Sequence, residues 1–83
     1  MQTQATATSW QSAASAPKDS VIIGCFKNFP LAMAATWNEP ENQWVMADVK
    51  AEFINGKMHD TFFQTEYATS NELLRWMLMP EVA

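Results

Sequence analysis

The sequence is poor in the residues that build metal sites, disulfides and phosphate loops. Its 83 residues include one cysteine, one histidine and two glycines. A single cysteine cannot form an internal disulfide, and one cysteine with one histidine cannot build a zinc site of several such ligands. Gly24 and Gly56 stand far apart, so there is no glycine-rich loop to hold a phosphate. We therefore expect no cofactor and no metal.

Basic residues are also scarce. Five lysines and arginines stand against nine aspartates and glutamates, which gives a net charge of −4. Direct nucleic-acid binding is disfavoured, because basic side chains that neutralise phosphates supply most of its affinity. A basic membrane-surface module is disfavoured too, and no apolar run reaches the roughly 20 residues that span a bilayer. These absences leave a protein as the expected partner.

The domain organisation follows from composition. Residues 1–9 are small and polar, lack the apolar centre of a secretory signal, and are expected to form a disordered leader. Apolar residues make up 48% of the chain and charged residues 17%, which predicts one folded domain over residues 10–83. The unpaired Cys25 is typical of a reducing cytoplasm.

Three segments predict strands. Residues 21–26 and 31–37 are short apolar runs between breakers, and we expect them to pair with each other. From Trp44 to Phe53 the chain alternates strictly, with Val45, Ala47, Val49, Ala51 and Phe53 on one face. Asn55-Gly56 follows, which is the strongest short signal for a type I′ hairpin turn.

The hairpin turn implies a register. A two-residue loop places Phe53 opposite Met58 and Val49 opposite Phe62, so these four side chains would cluster on one face. The same register puts Asp60 on that apolar face. We therefore expect the second strand to fray or bulge near Asp60.

The end of the chain predicts a helix. Thr69 and Glu72 match a capping box. Leu73, Trp76 and Met77 then recur at helical spacing, and Pro80 ends the pattern. The predicted fold class is therefore α+β, with a three- or four-stranded antiparallel sheet and one short C-terminal helix. The alternative is a small, mostly-β, barrel-like domain.

Two groups of residues are candidates for contact with a protein. Tryptophan is enriched in interface hot spots, although the four tryptophans could instead share one core or rim it. Residues 39–66 hold six acidic residues against two lysines, which would attract a basic partner or form only a solvated face. The candidate contact residues are Trp10, Trp37, Trp44, Trp76, Glu39, Glu41 and Glu52.

The order of several residues resembles a known family. Trp10 is followed by Ala16-Pro17-Lys18-Asp19, an apolar strand and two further tryptophans, and the chain closes on Trp76-Met77 with Pro80. This pattern is similar to that of small phage and prophage proteins classed as a domain of unknown function. Ser20 and Leu78 depart from it, standing where the family usually has glycine and proline. The resemblance implies an accessory protein in the bacterial cytoplasm and transfers no catalytic residue.

Three hypotheses on function result. The first is a non-enzymatic interaction module, encoded by a phage or prophage, that binds a host or phage protein. The alternative is an acidic nucleic-acid mimic that inhibits a host defence protein or a DNA-binding protein. The third, a small enzyme using His59 and a neighbouring carboxylate, lacks any further catalytic group in the sequence. Self-association through an open sheet edge or a tryptophan patch stays open.

Overall fold

A computed structural model describes residues 9–80 as one antiparallel sheet of six strands. The order across the sheet is β1-β6-β2-β3-β4-β5, so β1 and β5 are its edges. Two single 3₁₀ turns, Ala13–Ser15 and Ser70–Glu72, are the only helical elements of this described part. The strands are β1 Gln11–Ser12, β2 Ile22–Phe26, β3 Met33–Asn38, β4 Gln43–Ile54, β5 Lys57–Ala68 and β6 Leu73–Leu78.

The α+β prediction is wrong, because the segment expected to form a C-terminal helix is strand β6. The alternative β-rich prediction fits better, although the sheet is open and has two edges. The predicted three or four strands become six through β1 and β6. None of the helical segments within residues 9–80 has the length and apolar content to cross a membrane. The expected leader is residues 1–9, of which residues 1–8 lie outside the described residues.

Hydrogen bonding explains why residues 73–78 are extended. Strand β6 lies between β1 and β2 and pairs with both, so its backbone has partners on both sides. A lone helix of about ten residues is only marginally stable in water. As a strand, the same segment gains backbone hydrogen bonds to both of its neighbours. The capping box forms only one turn, in which the Glu72 carboxylate accepts the Thr69 amide at 2.8 Å. The Glu72 carbonyl then accepts the Lys27 amide at 2.8 Å, which ties this turn to the end of β2.

A β-bulge explains the helix-like spacing of Leu73 and Trp76. The β2–β6 ladder pairs Phe26 with Leu73 but Cys25 with Arg75, so the strand carries one extra residue there. Residues three apart in a strand normally point to opposite faces. The extra residue restores a common face, and both side chains are buried. The spacing that predicted a helix is therefore the spacing of a bulged strand.

The two predicted apolar strands and the hairpin are confirmed. Strands β2 and β3 pair antiparallel, and β4 and β5 are joined by a tight turn at Asn55 and Gly56. Both turn residues have positive φ, 54° and 79°, as a type I′ turn requires. β4 pairs with β3 only as far as Ala47. The outer part of the hairpin therefore extends beyond β3 as a two-stranded ribbon.

The core lies on one face of the sheet, towards the end away from the hairpin tip. Trp44 is its centre, with its ring edge-to-face against Trp37 at 5.2 Å and Phe26 at 6.3 Å between centroids. The 3₁₀ turn at Ala13–Ser15 and the following Ala16 pack on this cluster. The buried apolar residues are Ile22, Phe26, Met33, Ala35, Trp37, Trp44, Met46, Ala68, Leu73 and Trp76.

Candidate protein-contact surfaces

Three of the four candidate tryptophans belong to the core. Trp37, Trp44 and Trp76 are 8%, 1% and 6% exposed, so they support the fold from inside. Trp10 is 45% exposed, and the guanidinium carbon of Arg75 lies 5.7 Å from its ring centroid. Of the four, Trp10 alone offers a large surface to a partner.

The indole N–H groups of two buried tryptophans, Trp76 and Trp37, have hydrogen-bond acceptors within the chain. The Trp76 indole N–H is directed at the Ser12 carbonyl, 3.0 Å away, and the Ser15 hydroxyl, 3.1 Å away. The Trp37 indole N–H donates to Glu39 Oε1 at 2.6 Å. Glu39 is itself exposed, but its carboxylate already accepts a hydrogen bond from within the chain.

Lys18 gives the Ala-Pro-Lys-Asp segment a structural role. Its ammonium nitrogen lies 4.1 Å from the centroid of the Trp37 ring, which is cation–π geometry. The segment thereby closes over the core beside β3. Two residues that carry the phage resemblance, Lys18 and Trp37, thus contact each other across the fold.

One face of the sheet carries no charged side chain from β2 to β5, and we call it the apolar face. Strand alternation places every Asp, Glu, Lys and Arg of these four strands elsewhere. Its largest residues protrude into solvent, and Phe63 is 79% exposed. Its rim is polar, since Arg75 of β6 lies beside Cys25, and Asn38 pairs with Gln43 at the end of β3 and β4. The apolar face is formed by Ile23, Cys25, Ala34, Thr36, Val45, Ala47, Val49, Ala51, Phe53, Met58, Thr61, Phe63, Thr65 and Tyr67.

The apolar face has relief. Small side chains at Ala34, Thr36 and Ala47 leave a shallow hollow of about 270 Å³, bordered by Val45 and Thr65. We call this hollow the trough. On the edge strand β5, Phe63 and Tyr67 stand above it as large side chains. A partner would therefore meet a ridge of aromatic rings beside a depression.

The opposite side of the hairpin, which we call the charged face, holds the acidic residues of β4 and β5. Lys50 and Asp48 form an ion pair at 3.0 Å, and Gln64 donates to the Glu66 carboxylate at 2.8 Å. Glu52 lies directly opposite Asp60 in the ladder. Like charges in that arrangement repel each other. The charged face is formed by Asp48, Lys50, Glu52, Asp60, Phe62, Gln64 and Glu66.

A second bulge decides which residues of β5 reach each face. The ladder pairs Phe53 with Met58 and Glu52 with Asp60, which leaves His59 as the extra residue. The predicted bulge near Asp60 is confirmed. The register predicted beyond it is wrong, because Val49 faces Phe63 and not Phe62.

The bulge also brings in contact residues that the sequence reasoning missed. Phe63 and Tyr67 join the apolar face, and Asp60 and Gln64 leave it. A signal was present in the sequence: Thr61, Phe63, Thr65 and Tyr67 alternate without a charge. Assigning alternate residues to one face backwards from Tyr67, and not forwards from the turn, would have placed Phe63 and Tyr67 on the apolar face.

The other candidates lie apart from these faces. Glu41 is exposed in the turn between β3 and β4, at the opposite end from the hairpin tip. His59 is exposed at the bulge, and within residues 9–80 no three His, Cys, Asp or Glu side chains gather as a metal site would require. A cavity of about 390 Å³ lies between the two 3₁₀ turns and is lined by Trp44 and Lys18. Lys18 is the one ionisable residue in its lining.

Comparison with known proteins returned no match to a family model, to a curated protein or to a solved structure. The resemblance to phage proteins therefore stays a prediction that rests on the residues quoted for it. The two faces of the sheet are the features of the molecule that bear on its function.

Proposed function

We propose that the protein is a non-enzymatic protein-interaction module that docks a partner on its apolar face. The observation that carries the proposal is that this face bears exposed aromatic and aliphatic side chains and no charge from β2 to β5. Monomeric soluble proteins rarely leave contiguous apolar patches above a few hundred Å² uncovered, and larger ones mark interaction sites. The phage resemblance supplies the setting, an accessory protein that acts on a host or phage protein in the bacterial cytoplasm.

The composition of the apolar face supports contact with a protein. Aromatic residues and methionine are enriched at the centres of protein interfaces, whereas charged residues are depleted there. Phe53, Met58, Phe63 and Tyr67 follow this pattern. Thr36 and Thr65 can pair their hydroxyl groups with a partner without the cost of burying a charge, whereas the Thr61 hydroxyl already donates to the Lys50 carbonyl at 3.1 Å.

Substitution of Val49 tests the proposal. Val49 is 57% exposed on the apolar face, so Val49→Lys should fold normally and should lower capture of protein partners from bacterial lysate at least tenfold. The matched control is Phe62→Lys, because Phe62 is 54% exposed on the charged face of the same hairpin. Capture is measured by quantitative mass spectrometry of proteins retained on the immobilised chain. Equal retention by both variants would contradict the apolar face as the contact surface.

The paired acids of the charged face favour a second candidate function, an acidic nucleic-acid mimic. Glu52 and Asp60 are exposed and directly opposed in the ladder, an arrangement that opposes folding. Such a repulsive pair is consistent with a surface that attracts a basic protein. A mimic of this kind would cover the site at which a defence or DNA-binding protein holds phosphates.

Charge reversal at Glu52 separates the two candidates. Glu52→Lys should raise the urea midpoint slightly, because it turns a repulsive cross-strand pair into an attractive one. It should also weaken binding to a purified basic DNA-binding domain several-fold, measured by calorimetry at two salt concentrations. Glu41→Lys makes the same charge change at the distant turn and should have a smaller effect. Binding that is independent of salt would exclude the mimic.

A further inference from the structure

We infer that the apolar face binds a second copy of this chain, so that two sheets pack face to face around a two-fold axis. The inference rests on the proposed function and names the partner for that surface. It accounts for three properties of the face together: its lack of charge, its size and its relief.

The charge distribution permits self-association. Each copy carries a net charge of −4, and acidic chains repel one another. The acids of β4 and β5 lie on the charged face, however, which would point outward in the dimer. Face-to-face sheets lie about 10 Å apart with interleaved side chains. The contact layer would then hold aromatic, aliphatic and threonine side chains and no charge from β2 to β5.

The size of the face matches that of a dimer interface. Strands β4 and β5 have 12 residues each, so at about 3.3 Å per residue and 4.8 Å between strands they cover about 400 Å² in projection. Strand β3, with 6 residues beside the trough, adds at most about 95 Å² in the same way, and β2 lies beyond the edge of the other copy. Protruding side chains make the accessible area larger than its projection. The face is therefore of the order of the roughly 800 Å² that each partner buries in a standard interface.

The relief of the face is self-complementary. The ridge of Phe63 and Tyr67 lies on edge strand β5, and the trough around Ala34 and Ala47 lies between β3 and β4. A two-fold axis that runs along the strands between ridge and trough sets each ridge over the trough of the other copy. Such isologous contact needs only one surface that is complementary to itself. Two-fold symmetric dimers of this kind are the commonest oligomers. An unrelated partner would need an uncharged surface with a matching ridge and depression of its own.

Two neighbouring phenylalanines provide the test. Phe63 is 79% exposed on the apolar face, and Phe62 is 54% exposed on the charged face. In sedimentation velocity over a concentration series, the purified wild-type chain and Phe62→Lys should be dimers. Phe63→Lys should be monomeric or should dissociate at least tenfold more readily. Circular dichroism checks that both variants keep the sheet.

A monomeric wild type overturns the inference, and so does a dimer that Phe63→Lys leaves intact. If the chain is monomeric but Val49→Lys still abolishes capture of another protein, the second copy is excluded and the proposed function stands. If neither a dimer nor any captured protein depends on this face, both fail.

Discussion

Replacing Trp44 with alanine is expected to lower the free energy of unfolding by about 3–5 kcal/mol, the usual cost of truncating a large buried aromatic residue. Trp44 is 1% exposed and contacts Trp37 and Phe26 edge-to-face. It lies on β4 between β3 and β5, so it links the outer hairpin to the rest of the sheet. A domain of this length has a total stability of about 4–12 kcal/mol. Trp44→Ala therefore removes between a quarter and all of it.

Trp10→Ala is the control for this prediction. Trp10 is 45% exposed, and its contact with Arg75 is a surface cation–π pair of roughly 0.5–1 kcal/mol. Urea unfolding followed by far-UV circular dichroism compares the two variants without relying on tryptophan fluorescence. Equal midpoints would show that the core is not centred on Trp44.

Replacing Gly24 with alanine is expected to cost about 1–3 kcal/mol by overpacking the core. A Cβ atom at this position would lie 2.6 Å from Cε1 of Phe26 and 3.1 Å from Cδ1 of Leu73. The Phe26 ring is itself 1% exposed and packs on Trp44, so it has little room to withdraw. The glycine is needed because the ring of Phe26 covers its backbone within the same strand.

A double-mutant cycle tests this cause. Leucine at position 26 lacks the ring that covers Gly24, so Gly24→Ala should cost less in a Phe26→Leu background than in the wild type. Cys25→Ala, on the opposite face of the same strand, should cost less than Gly24→Ala. Thermal unfolding of the four variants of the cycle supplies the coupling energy. A Gly24→Ala penalty that is unchanged by Phe26→Leu would assign the cost to something other than the ring.

Much of the sheet was predictable because it depends on local signals. Alternation over residues 44–53 and the Asn55-Gly56 turn determine the long hairpin, and β-branched residues determine β2. Each of these signals involves only a few neighbouring residues, and the folded chain has the local structure that each one predicts. Strand β1 was not predicted, since two residues that only extend β6 leave no periodic signal.

Two errors in the prediction, the C-terminal helix and the register of β5, share one physical cause. A bulge inserts one residue into a strand and exchanges the faces of everything beyond it. The bulge in β6 made Leu73 and Trp76 resemble a helix, and the bulge at His59 displaced the register of β5 by one residue. Where bulges fall depends on packing across the sheet, which a single sequence does not show.

The candidate contact surface was only half predictable. Alternation showed that β4 has one apolar and one charged side, yet it could not show which side the rest of the chain covers. The core forms around Trp44 and Met46, on the side that carries Asp48 and Lys50 further out. The tryptophans were the sequence's most conspicuous contact candidates, and three of them are needed inside.

The bulge at His59 also sets where the hairpin can change in length. Removing His59 would leave Met58 and Asp60 consecutive, opposite Phe53 and Glu52, which are consecutive already. Each remaining residue of β5 would then keep its face. Removing Thr65 instead would move Phe62 and Gln64 onto the apolar face. In related chains, insertions and deletions should therefore be tolerated at position 59. They should be selected against at position 65, only six residues further along β5.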